Sequence, residues 1–428
     1  MGKKPNRAHR AAKQQARRAG SDFWLVHGGA SPRTPEQVAH ALTAAAREAA
    51  RGDTAVATQF AAELAGRDPL TPQLEHGAHL AGQHVITQVF ANGWLPTDVL
   101  EAARRRVDEF ATSYLTDVLA TYVEPYPAAT IDQTWQAQLE SAGAHVWWSA
   151  ARPHLSQWAG QQLLTPVEAL TAVIQALALL LRLPKLELIR PLPGTAPRES
   201  PDHLERVDDK ALARVRGLLA KAESTSFPEE AEALSAKAQE LMTKYAIDRV
   251  LVEARGLVPD LPGARRIWLD TPYLDAKALL VEVVTRANRC RAIFSDWGFT
   301  TVVGDESDLD AVELLVTSLL VQATRAMIAD GDPDVRDAHS RSRSFRKSFL
   351  LAYATRIGER LAEANDATIA QTTEPERLLP VLASHRARVD KAFDTLFPMV
   401  APKRTTIGSA AGWEAGRAAA ERAHLQPR

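Results

Sequence analysis

The stretch D-K-A-L-A-R-V-R-G-L-L-A-K-A-E-S-T-S-F-P-E-E-A-E-A-L-S-A-K-A-Q-E-L-M-T-K-Y-A-I, Asp209 to Ile247, organises the reading of this chain. Its first half carries apolar residues at Leu212, Val215, Leu218 and Leu219, and its second at Leu234, Ala238, Leu241, Met242, Tyr245 and Ala246. Steps of three and four residues gather each set on one face of an α-helix. Between them, Ser226-Phe227-Pro228-Glu229 combines a capping hydroxyl, a proline in the first turn and an acid three residues on. The stretch therefore predicts a helical hairpin over 208–250 whose apolar faces pack together.

Upstream, Pro184, Pro191, Pro193, Gly194, Pro197 and Pro201 remove too many backbone donors for a helix. A joint over 184–207 is expected. Before it, Thr34-Pro35, Thr71-Pro72 and Thr165-Pro166 each set a capping hydroxyl before a proline suited to the first helical turn. Gln37 and Glu168 extend two of these to capping boxes, and Thr130 with Gln133 suggests a third. With breaks at Gly52-Asp53, Asn92-Gly93, Pro125 to Pro127 and Pro153, the stretch 34–183 predicts an all-α domain of six or seven helices. Trp94, Trp135, Trp147, Trp148 and Trp158 are its expected core or interface anchors.

Downstream the period changes. Arg265 to Asp270 reads as a short strand and Ala276 to Asn288 as a helix. Cys290 to Ser295 and Phe299 to Val303 read as strands joined by Asp296-Trp297-Gly298, the glycine supplying a positive φ. A long helix from Ser307 to Ile328 follows, then one from about Val335 to Ala364, and two more over Pro380–Leu396 and Trp413–Ala423. The expected class is mainly α: an all-α N-terminal domain, the hairpin, and a small α+β unit over 263–425 with a short antiparallel sheet.

A chain of 428 residues supports two or three such units, and 46% apolar with 24% charged residues excludes collagenous, globally disordered and multi-span membrane classes. The longest apolar run, Leu170 to Leu181, is broken by Gln175 and falls short of the roughly 20 residues of a bilayer span. A single cysteine, Cys290, excludes an intrachain disulfide framework, and the first residues lack the apolar core of a secretory signal. A cytoplasmic protein without membrane attachment is expected. Its net charge of -1 conceals an asymmetry, because residues 1–20 hold seven basic and no acidic side chains. Residues 1–22 are read as a basic disordered arm.

Asp209 to Ile247 resembles the bacterial and phage module called domain of unknown function 2786, with its basic helix ending in L-L-A-x-A-E-S-T and its later A-x-x-L-M-x-K-Y. The region beyond is similar to the companion domain of unknown function 7168. That likeness is carried by V-V-G-D at Val302 to Asp305, S-F-R-K-S-F at Ser344 to Phe349 and G-x-x-x-G-R-A-A-A at Gly412 to Ala420. Gly93-Trp94-Leu95-Pro96 and the arginine-rich segment after it resemble the N-terminal part of full-length actinobacterial relatives. The resemblance implies a fold and a bacterial setting but carries no reaction or catalytic residues.

Three groups of residues suggest chemistry. Lys3, Lys4, Arg7 and Arg10 of the arm, Lys210 and Arg214 of the hairpin, and Arg343, Arg346 and Lys347 at helical spacing present donors to phosphate or to an acidic protein surface. A solvated face paired with nearby acids explains the same charges. Glu75, His76 and His79 offer a metal-dependent hydrolase site, although neither H-E-x-x-H nor H-x-x-E-H spacing occurs. Asp330-Gly331-Asp332-Pro333-Asp334 lacks the later glutamate of a calcium loop and reads as a turn. No phosphate-cradling or dinucleotide glycine pattern and no G-x-S-x-G elbow is present, so no cofactor is expected. The leading expectation is a non-enzymatic binding protein that touches nucleic acid through converging basic residues. A helical protein–protein adaptor, its tryptophans exposed as one patch, is the other alternative.

Overall fold

A computed structural model describes residues 34–52, 54–65, 70–195, 205–225, 228–253, 262–329, 342–371, 375–399 and 409–422 of the chain. It divides into two units, Met1–Arg198 and Glu199–Arg428. The division falls inside the predicted proline-rich joint.

The first unit holds eight described helices: α1 (Pro35–Ala50), α2 (Thr54–Ala65), α3 (Pro72–Ala91), α4 (Pro96–Arg106), α5 (Glu109–Val123), α6 (Gln133–Ser141), α7 (His154–Gln161) and α8 (Pro166–Arg182). Thr34, Thr71 and Thr165 cap α1, α3 and α8, and both predicted boxes form through Gln37 and Glu168. The third box does not form. Asp132 caps α6 instead, its carboxylate accepting from Thr134 N at 2.9 Å, while Thr130 closes a 3₁₀ turn at Ala128–Thr130. A further start at Asp108, which accepts from Ala111 N at 2.8 Å, separates α4 from α5 and helps raise the number of helices above the six or seven expected.

Helix α8 is the axis of this unit. Leu170, Val173, Ile174, Leu177 and Leu180 are buried, and α1, α2, α3 and α5 pack around them. Each such side chain contributes about 1.5–3 kcal/mol by leaving water. Helices α1 and α3 cross closely at Gly77, where a Cβ would stand 2.5 Å from that of Val38. At Gly93, φ is +86° and a Cβ would meet the Leu186 carbonyl oxygen at 2.5 Å, so only glycine fits there. That approach admits the chain after α8. Leu186 N donates to Asn92 O, the Trp94 indole N–H to Pro184 O at 2.8 Å, and Gly194 N to Thr130 O. The first half of the proline-rich stretch is thus bonded into the first unit.

The second unit begins with the hairpin, α9 (Glu205–Ser224) and α10 (Pro228–Glu253). Then follow β1 (Gly263–Trp268), α11 (Leu274–Ala287), β2 (Arg291–Ser295), β3 (Phe299–Gly304), α12 (Glu306–Ala329), α13 (Arg343–Ala370), α14 (Pro375–Leu396) and α15 (Ala410–Arg422). The strands form an antiparallel sheet in the order β1-β3-β2, with Arg265 opposite Val302 and Ala292 opposite the same Val302 on the other side. Central β3 is buried along its whole length. Gly298, at φ +100°, ends the β2–β3 turn as its sequence requires. The structure is mainly α with one small three-stranded sheet among the described residues.

The hairpin is not a separate body. Val215, Leu219, Ala238 and Met242 share one core with Ile267, Val281, Val302, Leu315, Phe349 and Ile357. A buried amide network fixes it there: Gln239 Nε2 donates to Asn288 Oδ1 and Asn365 Oδ1, both at 3.0 Å, and Thr243 Oγ1 donates to Asn365 Oδ1 at 2.7 Å. Among the described helices, residues Glu306–Ile328 of α12 have the length and composition of a membrane span, and α7 with α8 reach it only as a sharply bent pair. In α12 the residues Leu309, Val312, Leu315, Val316 and Leu319 are buried in the core of the second unit.

Candidate functional site

Helix α13 lies between α11 and α15, and all three run the same way. Gly412 and Gly416 of α15 rest on the carbonyl oxygens of Phe345 and Phe349, so the two helices advance together. Asp275 and Val283 of α11 meet Lys347 and Gly358 of α13 in the same sense. The N-termini at Leu274, Arg343 and Ala410 therefore share one end of the layer. The start of α15 is also bonded to α13. Ser342 Oγ accepts from Phe345 N, Ser409 Oγ accepts from Gly412 N, and Ser409 N donates to Ser348 Oγ at 3.0 Å.

Aligned peptide dipoles make such an end positive, and acids are the side chains that ordinarily settle there. At α13 the first turn holds no acid and instead brings Arg343, Arg346 and Lys347. Lys347 is paired with Asp275 at 2.6 Å. Partial burial raises the Asp275 carboxyl, but the Lys347 contact prevails and holds it below its ordinary value. Arg343 and Arg346 are exposed and make no ion pair with any described residue. Most other arginines of this unit are engaged: Arg265 with Asp310 and Glu313, Arg291 with Asp390, Arg356 with Glu359. Glu414 of α15 is an exposed acid close to the start of its helix. The arrangement can attract and bind an anion in solvent.

The remaining basic residues do not join this end in the described structure. Lys3, Lys4, Arg7 and Arg10 lie outside the described residues, as do Asp330 to Asp334. Lys210 is exposed on α9, and Arg214 donates to the Tyr245 hydroxyl at 3.1 Å, which holds it along the neighbouring helix. Helix α9 packs on α10 and α12, whereas α13 packs chiefly on α11 and α15.

Glu75, His76 and His79 are not brought to a common point. Glu75 is buried and spends Oε2 on Ser156, accepting from its N at 3.0 Å and its Oγ at 2.7 Å in the first turns of α7. The His76 and His79 rings are 6.4 Å apart. His79 is exposed, yet partial desolvation by the surrounding protein, then the His76 and His154 imidazoles, push its pKa down. His154 Nε2 donates to Asp117 Oδ2 at 2.7 Å, and the Trp147 indole N–H donates to Asp117 Oδ1 at 3.0 Å. Among the tryptophans, Trp94, Trp135 and Trp158 are buried and Trp147 is 38% exposed. They do not form the single exposed patch an adaptor would present.

Among the described residues, the group that does assemble with metal-ligand geometry is Asp305, Asp308 and His385. Asp305 follows β3, Asp308 lies in the first turn of α12 and His385 is in α14. Their ligand atoms fall within 4.8 Å of one another and all three residues are buried. His385 Nε2 is 2.6 Å from Asp305 Oδ2, and Arg289 donates to Asp308 Oδ1 at 3.0 Å. Local spacing does not reveal this group, since eighty residues separate Asp305 from His385. The V-V-G-D motif that ends in Asp305 marks one part of it.

A family model described as "Protein of unknown function (DUF2786)" matches residues 210–249, which are α9 from its sixth residue and most of α10. No curated protein and no solved structure matches the chain.

Proposed function

We propose that this chain is a non-enzymatic bacterial binding protein of the cytoplasm that contacts nucleic acid through the shared N-terminal end of α11, α13 and α15. One observation carries the reading: Arg343 and Arg346 stand exposed, without an ion pair among the described residues, where three helix dipoles already make the potential positive. Cations in that place are unfavourable to the isolated helix. An anionic partner converts the same charges into binding energy, and a phosphate backbone supplies repeated anions that release counterions when neutralised. The basic stretch at 1–20 adds a second sequence-independent attraction. The region beyond the hairpin is, in the same reading, the companion domain of unknown function 7168.

Fluorescence anisotropy with short duplex DNA, single-stranded DNA and RNA at two salt concentrations tests the proposal. Binding that weakens steeply with salt and with Arg343→Glu/Arg346→Glu supports it. Absence of binding at low salt, or binding indifferent to those changes, overturns it. An acidic protein surface offers the same chemistry and is the reading left standing where no nucleic acid binds at low salt.

A further inference from the structure

The buried cluster behind the sheet has a chemistry that the anion-binding end does not use. We propose that Asp305, Asp308 and His385 bind one divalent transition-metal ion, of the Zn²⁺ or Mn²⁺ class, which fastens α14 to the sheet. The residues converge from the β3–α12 turn, the first turn of α12 and the middle of α14, and are 3%, 6% and 2% exposed. Zinc sits about 2.0–2.2 Å from carboxylate oxygen and imidazole nitrogen. Ligand atoms already within 4.8 Å of one another need only small rotations to surround it. Two carboxylates and one imidazole suit zinc, manganese or iron, whereas calcium takes oxygen alone.

The ring of His385 is held with one nitrogen toward the carboxylates and the other away from them. Its Nε2 faces Asp305, while Nδ1 is buried and makes no hydrogen bond with any described residue. A neutral ring leaves a bare lone pair and a charged ring leaves an N–H without an acceptor, and either is costly where water is excluded. An ion between the carboxylates would take the Nε2 lone pair in place of the Asp305 contact.

The surrounding charges fit an exchange of cations. Arg289 bonds Asp308 Oδ1, as an outer partner of a ligating carboxylate commonly does. Arg388 stands 4.0 Å from Asp305 Oδ2, beyond hydrogen-bond distance, and its side chain is 29% exposed. Helix α14 needs such a fastening, since Val389 and Phe393 are its buried large apolar residues among those described. Three protein ligands leave one coordination position open, and the burial of all three restricts what can reach it.

The full chain, purified without a histidine tag and stripped with a chelator, is titrated with ZnCl₂ and MnCl₂ by calorimetry, with metal content and Tm read in parallel. One equivalent is expected to bind and to raise Tm. Asp308→Asn and His385→Gln are each expected to weaken binding by more than the roughly 10–100-fold that loss of an outer partner costs. His76→Ala/His79→Ala is expected to leave it intact. Arg388→Gln keeps all three ligands and removes a competing cation, so it is expected to tighten binding. That variant decides the matter where the ligand variants fail to fold. No uptake by the stripped wild type, uptake unchanged in Asp308→Asn, loss in the His76/His79 variant, or no tightening in Arg388→Gln would overturn the assignment.

Discussion

The Lys347 ammonium lies 2.6 Å from the Asp275 carboxylate, joining the starts of α11 and α13. Because that pair neutralises itself, the net positive charge at this end rests on Arg343 and Arg346. Asp275→Asn is expected to release Lys347 and strengthen polyanion binding, while Arg343→Glu/Arg346→Glu weakens it. With two fewer cations to neutralise phosphates, the slope of log K against log salt should become shallower by about 2. Anisotropy titrations across salt measure both effects. Equal affinity in all three proteins would remove this end from the binding surface.

Glycine substitutions separate a contact that needs hydrogen from one that does not. Gly416 rests on the Phe349 carbonyl oxygen, and any Cβ there collides with backbone. Gly416→Val is expected to destabilise the second unit by about 1–3 kcal/mol through overpacking, and more where α13 and α15 are forced apart. Gly217, inside α9, has nothing within 4 Å of a built Cβ. Gly217→Ala is therefore expected to stabilise by about 1 kcal/mol, the helix-propensity difference. Urea unfolding of both variants against wild type reads the opposite signs.

Local chemistry makes most of the architecture readable from sequence. Thr34, Thr165 and their box partners mark helix starts through contacts three residues long, and Gly298 marks its turn through a single torsion angle. Such features depend on neighbours in sequence. The Asp132 cap displaces the expected Thr130 box because two short polar residues compete for one helix start, and pattern alone does not rank them. The sites are harder. Arg343 and Arg346 are readable as a basic helix face, but their placement beside two other N-termini depends on Gly412, Gly416 and Gly358 admitting close helix approach. Glu75 has the look of a ligand, yet Ser156, far along the chain, takes its carboxylate. Asp305 and His385 meet only through the packing of α14 on β3, which no local spacing encodes.

The Gln239–Asn288–Asn365 network ties the hairpin to α11 and α13, with Gln239 and Asn288 removed from water and Asn365 half-buried. Loss of one member leaves the others with unspent donors or acceptors, whose desolvation costs about 1–3 kcal/mol. Asn365→Ala is expected to destabilise by that amount and to lower hydrogen-exchange protection in α10 more than in α12. Gln239→Ala should give a similar loss, and the double variant less than the sum, because both remove the same contact. Additive losses would mean that the two amides act separately.

His79 carries the pH prediction in the first unit. Partial desolvation of this exposed ring and the neighbouring His76 and His154 imidazoles hold its pKa below the ordinary histidine value of about 6.5. A histidine whose folded pKa is depressed binds fewer protons in the folded than in the unfolded chain as pH falls below that ordinary value. Stability contributed by the neutral ring is therefore full above it and declines with falling pH until the folded pKa is passed. NMR titration of the His79 ring should show a midpoint below that of a freely exposed histidine such as a peptide standard. His76→Ala removes one repelling imidazole and is expected to move the midpoint upward. A midpoint unchanged by that substitution would mean that His76 does not repel the ring, and a midpoint at or above the ordinary value would mean that the ring is paired with an acid.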